Sequence, residues 1–260
     1  MAHKISGANR RVWLSLAVAG ILACSAAGLA AQKKKAAASG SSPFAQDKGK
    51  FTIKLDGQNV GHEEFEIEPS GGGWLAKGEV EIKPSSGPKS KVSGSLTLLP
   101  DGSPVAYEWT AQTEKKNGAH IVFANGIASV TVEMEGARPC TPDEIKDPNR
   151  KQPCFFEQNL SFESPHIVVL DNNLYDQYAV LPRLYDWSKR GPQTFPVLIP
   201  QELMPGTITA EAIGSAKLDG KSYEGFRVAT SDLEVDLYLD AAHRLMRLEV
   251  PAAKVSVVRD

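Results

Sequence analysis

Residues 207–260 read TITAEAIGSAKLDGKSYEGFRVATSDLEVDLYLDAAHRLMRLEVPAAKVSVVRD, and this stretch decides the fold. Leu233, Val235, Leu237 and Leu239 fall on one side of an extended chain, and Glu234, Asp236 and Asp240 on the other. After a turn at Ala241-Ala242 the pattern resumes, with Met246, Leu248 and Val250 facing in and Leu245, Arg247 and Glu249 facing out. Thr207–Leu218 and Ser222–Thr230 flank Asp219-Gly220, a pair suited to a tight hairpin because both central residues must take positive φ. One wet face per strand is the mark of an antiparallel sheet.

The same period of two runs upstream. Phe51, Ile53 and Leu55 alternate with polar residues, and Phe65 and Ile67 alternate with Glu64, Glu66 and Glu68. Trp74, Ala76, Val80 and Ile82 share one face, and Val92, Leu96 and Leu98 repeat it. Asp56-Gly57, Asp101-Gly102, Asn117-Gly118 and Asn125-Gly126 then read as the turns of a meander. One segment breaks the rhythm: Leu174, Tyr178, Leu181 and Tyr185 recur at helical spacing. Asn173 with Asp176 resembles a capping box, and Pro182 is expected to kink or restart the helix. The fold expected is all-β, mainly antiparallel: a curved meander or half-barrel with one helix, about 173–189, packed on or across it.

The N-terminus reads as an address. Lys4, Arg10 and Arg11 precede an apolar run from Trp13 to Ala23, and small residues follow to Ala31. These are the parts of a cleavable signal peptide over 1–31. An uncleaved anchor helix over 13–31, a lipobox ending at Cys24 and a loose twin-arginine signal are the alternatives. Residues 32–48, with three lysines and a Gly/Ser run, read as a flexible linker, leaving 49–260 as one β-rich domain. Periplasmic or secreted placement follows, or a lipid-anchored envelope protein with Cys24 as its membrane contact. Loss of Lys4, Arg10 and Arg11 takes the formal charge from −2 to −5, which argues against a nucleic-acid partner. Cys140 and Cys154 flank a Pro-rich, charged loop without a CxxC partner, and a disulfide closing it suits an oxidising compartment.

The search for chemistry is mostly negative. HExxH, P-loop, GxGxxG and GxSxG patterns are absent, the histidines lack metal-ligand spacing, and neither metal nor cofactor is expected. The richest cluster runs from His166 through Asp171 to Tyr175, Tyr178, Tyr185 and Trp187. His166 and Asp171 are the candidate catalytic base and its orienter, and the four aromatics the candidate ligand-binding residues.

The strand ending Leu170-Asp-Asn-Asn173, the interposed helix, and the final Leu-x-Val-x-Leu-x-Leu-Asp with Arg-Leu-x-Arg-Leu-x-Val-Pro resemble uncharacterised exported bacterial β-sheet proteins. These are similar in architecture to the half-barrel lipoprotein carriers of the bacterial envelope. The resemblance implies a curved sheet with an apolar concave face and a helical lid, and no catalytic residues. It leads to an exported protein holding a hydrophobic small molecule, lipid or acyl chain. The alternatives are an envelope hydrolase or isomerase using His166 and Asp171, and a non-catalytic assembly module with an envelope protein partner.

Overall fold

The computed structural model describes residues 44–83, 88–112, 116–136, 138–147 and 154–260. The expected signal, Cys24 and linker residues 32–43 lie outside the described residues. A first meander comprises β1 (Asp47–Leu55), β2 (Gln58–Ser70), β3 (Gly73–Ile82), β4 (Ser90–Leu98), β5 (Pro104–Gln112), β6 (Lys116–Ala124) and β7 (Ile127–Met134). A short appendage follows: β8 (Arg138–Pro139), α1 (Pro142–Lys146) and β9 (Cys154–Phe155). The chain returns as β10 (Glu157–Ser161) and β11 (Val168–Val169), forms α2 (Asp176–Leu184), and begins the second meander with β12 (Gln193–Ile199). That meander continues through β13 (Met204–Leu218), β14 (Lys221–Ala229), β15 (Glu234–Leu239), β16 (Leu245–Val250) and β17 (Val255–Arg259).

Among the described residues, fifteen of these strands make one sheet in the order β10-β7-β6-β5-β4-β3-β2-β1-β17-β16-β15-β14-β13-β12-β11. The two meanders join where β1 pairs with β17, Phe51 opposite Arg259. Within this sheet pairing is antiparallel except between β11 and β12, and the separate β8–β9 pair is parallel. The sheet curves around α2, whose Ala179, Val180 and Leu181 belong to the same buried cluster as Phe51, Ile67, Ile121, Phe226, Leu237 and Leu248.

Turn chemistry follows the sequence at three hairpins, where Asp56-Gly57, Asn125-Gly126 and Asp219-Gly220 all take positive φ. Asn117-Gly118 does not: both lie inside β6, paired with Ala111 and Thr110 of β5. A methyl at Gly118 would stand 2.5 Å from the Trp109 carbonyl, so that glycine serves close strand approach instead. Leu245, expected outside, is fully buried. A register shift between Tyr238 and Leu239 sets Leu245 opposite Leu239 and turns it inward.

The folded chain also starts earlier than residue 49. Phe44 packs on Trp74 with ring centroids 5.6 Å apart, and Asp47 is buried at the start of β1. Cys140 and Cys154 form a disulfide, which is compatible with an exported protein. Within its loop, Thr141 and Glu144 make a capping box for α1, and Arg138 grips the Glu144 carboxylate.

Candidate functional site

β2 is the unusual strand. Its alternation puts Glu64, Glu66 and Glu68 outward, but it also brings Glu63 into phase with Phe65 and Ile67, facing the interior. Glu63 pairs across the sheet with Phe51 and Val80 and has no exposed surface. Its carboxylate accepts hydrogen bonds from the Tyr175 and Asp176 backbone N–H groups, both at 3.0 Å. Glu63 therefore caps the N-terminus of α2 from another strand, where the unsatisfied N–H groups favour negative charge. The expected cap by Asn173 is not used: Tyr175 occupies the cap position without a side-chain bond, and Asn173 takes a positive φ of 63°.

α2 lies inside the expected 173–189 segment but is buried on more than one stripe. Asp176, Gln177, Ala179, Val180, Leu181 and Pro182 are all buried. A helix enclosed in this way must find partners for its polar side chains. Gln177 does so: its Nε2 donates to the Tyr107 hydroxyl at 3.0 Å, and its Oε1 accepts the Asp171 N–H. Tyr107 in turn donates to Asp171 Oδ2 at 2.8 Å. The other Asp171 oxygen accepts the Asn172 and Gln201 N–H groups, both at 2.9 Å.

Asp176 is less well served. Its Oδ1 is buried and has no hydrogen-bond partner. A methyl at Gly78 would stand 2.5 Å from that oxygen and 2.7 Å from Glu63 Oε1, so two carboxylates converge on the space a missing Cβ leaves in β3. Burial pushes the Glu63 carboxyl well above its usual range, and the neighbouring Asp176 pushes it the same way. Burial raises Asp176 to about 6.

The opposite end of α2 is held by unlike charges. Arg183 Nη2 lies 3.2 Å from Asp47 Oδ2, and Arg259 Nη2 lies 2.7 Å from Asp47 Oδ1. These side chains are 7 %, 2 % and 11 % exposed for Arg183, Asp47 and Arg259, so the triad is an interior one. Arg183 also donates to the Ala45 carbonyl, and the Arg259 guanidinium sits 5.2 Å from the Phe65 ring centre.

The four candidate ligand aromatics surround the same helix. Tyr175 and Tyr185 are buried, and Tyr178 and Trp187 pack against the core. The Tyr185 hydroxyl donates to the Gly191 carbonyl at 2.8 Å and accepts the Ala212 N–H at 3.2 Å. Trp187 donates to the Pro182 carbonyl at 2.8 Å and stacks on His243 at 3.6 Å. Pro182 sits two residues before the end of α2, so the indole satisfies one of the helix's last carbonyls.

His166 and Asp171 are engaged separately. Asp171 belongs to the network under α2, whereas His166 is exposed and its Nδ1 lies 2.7 Å from Ser103 Oγ. Asp101 accepts the Ser103 N–H at 2.9 Å, and that bond holds its carboxyl below the usual range. Asp101, Gly102, Ser164 and His166 join Ile167, Leu184, Thr194, Phe195 and Pro196 around a cavity of about 360 Å³. It lies between the β4–β5 turn, the approach to β11, the end of α2 and β12. A trough of about 440 Å³ crosses the outer face over Gly78 and Gly94. Its lining is rich in charge, with Lys48 paired to Glu66 inside it and Glu79 paired to Lys91 beside it, and does not suit an apolar ligand.

Two solved structures are similar to this chain. One is a beta-barrel-like protein of the domain of unknown function DUF1849 from Brucella abortus, with a TM-score of 0.49 and 8 % identity over 82 % of this chain and 94 % of that one. The other is a DUF1089 family protein from Pseudomonas aeruginosa, with a TM-score of 0.42 and 10 % identity over 74 % and 90 %. No family model and no curated protein matches the chain.

The residues that the sequence reading passed over are Glu63, Gln177, Tyr107, Asp47 and Ser103, and Asp176 was read only as part of a helix cap. Glu63 had a legible signal, since it is an acid in phase with Phe65 and Ile67. Asp47 and Ser103 had none, because their partners lie 136 and 63 residues away.

Proposed function

We propose that this is an exported bacterial envelope protein that holds an apolar molecule, a lipid or acyl chain, between its curved sheet and α2. Export rests on the N-terminal signal pattern together with the disulfide. The ligand reading rests on the cavity at the end of α2, walled by Ile167, Leu184, Phe195 and Pro196. At about 360 Å³ it falls within the ~300–1,000 Å³ of small-molecule sites. A few polar groups, among them His166 and Thr194, join the apolar walls and would orient a ligand's polar end. Burial of apolar ligand surface supplies the affinity, at roughly 25 cal/mol per Å². Tyr178, Tyr185 and Trp187 are the aromatic surface a longer chain would meet if α2 lifts.

The test is native mass spectrometry of the purified mature protein, followed by titration with a fluorescent fatty acid. The expected result is a bound lipid or saturable uptake that weakens at least tenfold in Leu184→Trp, which fills the cavity. A clean ligand-free mass with no uptake overturns the reading.

A second reading, an envelope hydrolase, is favoured by one contact: Ser103 Oγ at 2.7 Å from His166 Nδ1, with Asp101 in the same turn. In that reading Ser103 is the nucleophile and His166 takes its proton. A fluorophosphonate probe should then label Ser103 in wild type and not in His166→Ala; an unlabelled wild type ends it.

A further inference from the structure

The most unusual chemistry in the interior belongs to neither the cavity nor the Ser103–His166 contact. It is a pair of acids, Glu63 and Asp176, buried in an otherwise apolar row and aimed at one another over Gly78. Glu63 comes from the sheet and Asp176 from the first turn of α2, so the pair spans a joint that, like the Tyr107–Gln177 bond beside it, must open if the helix leaves the sheet at that end. Both Glu63 oxygens already accept backbone N–H groups of α2, while Asp176 Oδ1 accepts none. A buried oxygen without a donor, facing a carboxylate, has a direct remedy in a proton held between the two.

We propose that Glu63 and Asp176 form a proton-operated latch: with the proton bound the N-terminal end of α2 stays docked, and loss of the proton releases that end. The Arg183–Asp47–Arg259 triad, built from opposite charges, keeps the other end attached and acts as the pivot. The motion uncovers the sheet beneath Leu174 and Asp176, extending the space available to a ligand. In purpose the latch rests on the ligand reading; its mechanism does not.

The acidic and phenolic groups that face the pair favour its protonated form, against the Tyr175 and Asp176 N–H groups, which lower Glu63, and the Glu63 carboxyl and the Gln177 N–H, which lower Asp176. Asp171, in the segment leading to α2, raises Asp176 by its charge. Tyr107 of β5 has its hydroxyl pushed well up by burial and by Asp171 and Asp176, and the Tyr175 hydroxyl is raised by burial and Glu63, so both stay neutral. Gly78 and Val80 of β3 and Phe51 of β1 bring no charge. The sign follows. Carboxyls whose folded pKa is raised bind more protons folded than unfolded, so their contribution is present at low pH and is lost as pH rises through the folded value. For Asp176 that window runs from its ordinary 3.8 up to about 6, and Glu63, raised well above its ordinary 4.5, extends it upward. One proton changes the docking equilibrium by at most tenfold per pH unit across it.

The experiment is amide hydrogen exchange on the mature protein without lipid, from pH 5 to pH 8, corrected for the intrinsic pH dependence of exchange. The expected result is a loss of protection of at least tenfold at Tyr175 and Asp176, with amides of β15 and β16 unchanged. Glu63→Gln should flatten that dependence; should it fold poorly, Asp176→Asn provides the same reading. Protection in wild type that does not change with pH overturns the latch, as does an equal pH dependence in both folded variants. Fatty-acid uptake measured separately divides the two proposals. Uptake without a pH response retains the ligand reading and ends the latch, and a pH response without uptake does the reverse.

Discussion

The two ends of α2 solve the same problem in opposite ways. Each brings charged groups into an apolar interior, roughly 10 Å apart along the helix axis. At the C-terminal end Asp47 lies between Arg183 and Arg259, and opposite charges compensate one another. At the N-terminal end Glu63 meets Asp176, and like charges have only the helix N-terminus and a proton to offset them. The contrast teaches that burial of a charge can be made insensitive or sensitive to pH by the sign of its partner. It also gives the helix a fixed end and a releasable one.

The comparison can be broken most severely at the fixed end. Asp47→Asn leaves two buried guanidiniums without a carboxylate, and urea unfolding should show a loss of about 3–5 kcal/mol. That loss should be the same at pH 6 and pH 8, because no shared proton is involved. A smaller effect is expected from Gly78→Ala, which puts a methyl 2.5 Å from Asp176 Oδ1 and 2.7 Å from Glu63 Oε1. Overpacking there should cost about 1–3 kcal/mol, measured in the same way. Its effect should be non-additive with Glu63→Gln, since both act on one contact. The smallest change comes from Tyr107→Phe, which removes the hydroxyl shared by Asp171 and Gln177. A loss of about 1–2 kcal/mol is expected, with protection by hydrogen exchange reduced at Asp171.

The sheet was legible because its cause is local. Alternation and Asp-Gly or Asn-Gly turns set strand after strand, and a bulge at Met246, opposite the step from Tyr238 to Leu239, was enough to reverse Leu245. The dipeptide at Asn117-Gly118 misled for the same reason, since glycine also serves where strands approach closely. The helix was legible as a helix from Leu174, Tyr178 and Leu181, but its surroundings were not. A single apolar stripe describes a helix lying on a surface, whereas this one is enclosed and carries Asp176 and Gln177 inward. Its partners Glu63 and Asp47 sit 113 and 136 residues upstream of the groups they bind. Such pairings depend on how fifteen strands come together, and no window of sequence contains them. Glu63 alone left a local trace, as the acid on the wrong side of β2.

The most direct measurement is a carboxyl carbon NMR titration of Glu63 and Asp176 in the folded protein, from pH 4 to pH 9. The account predicts that Asp176 titrates near 6 and that Glu63 stays protonated well above the usual range for glutamate. Two carboxyls that both titrate near 4, with α2 still docked, would contradict it.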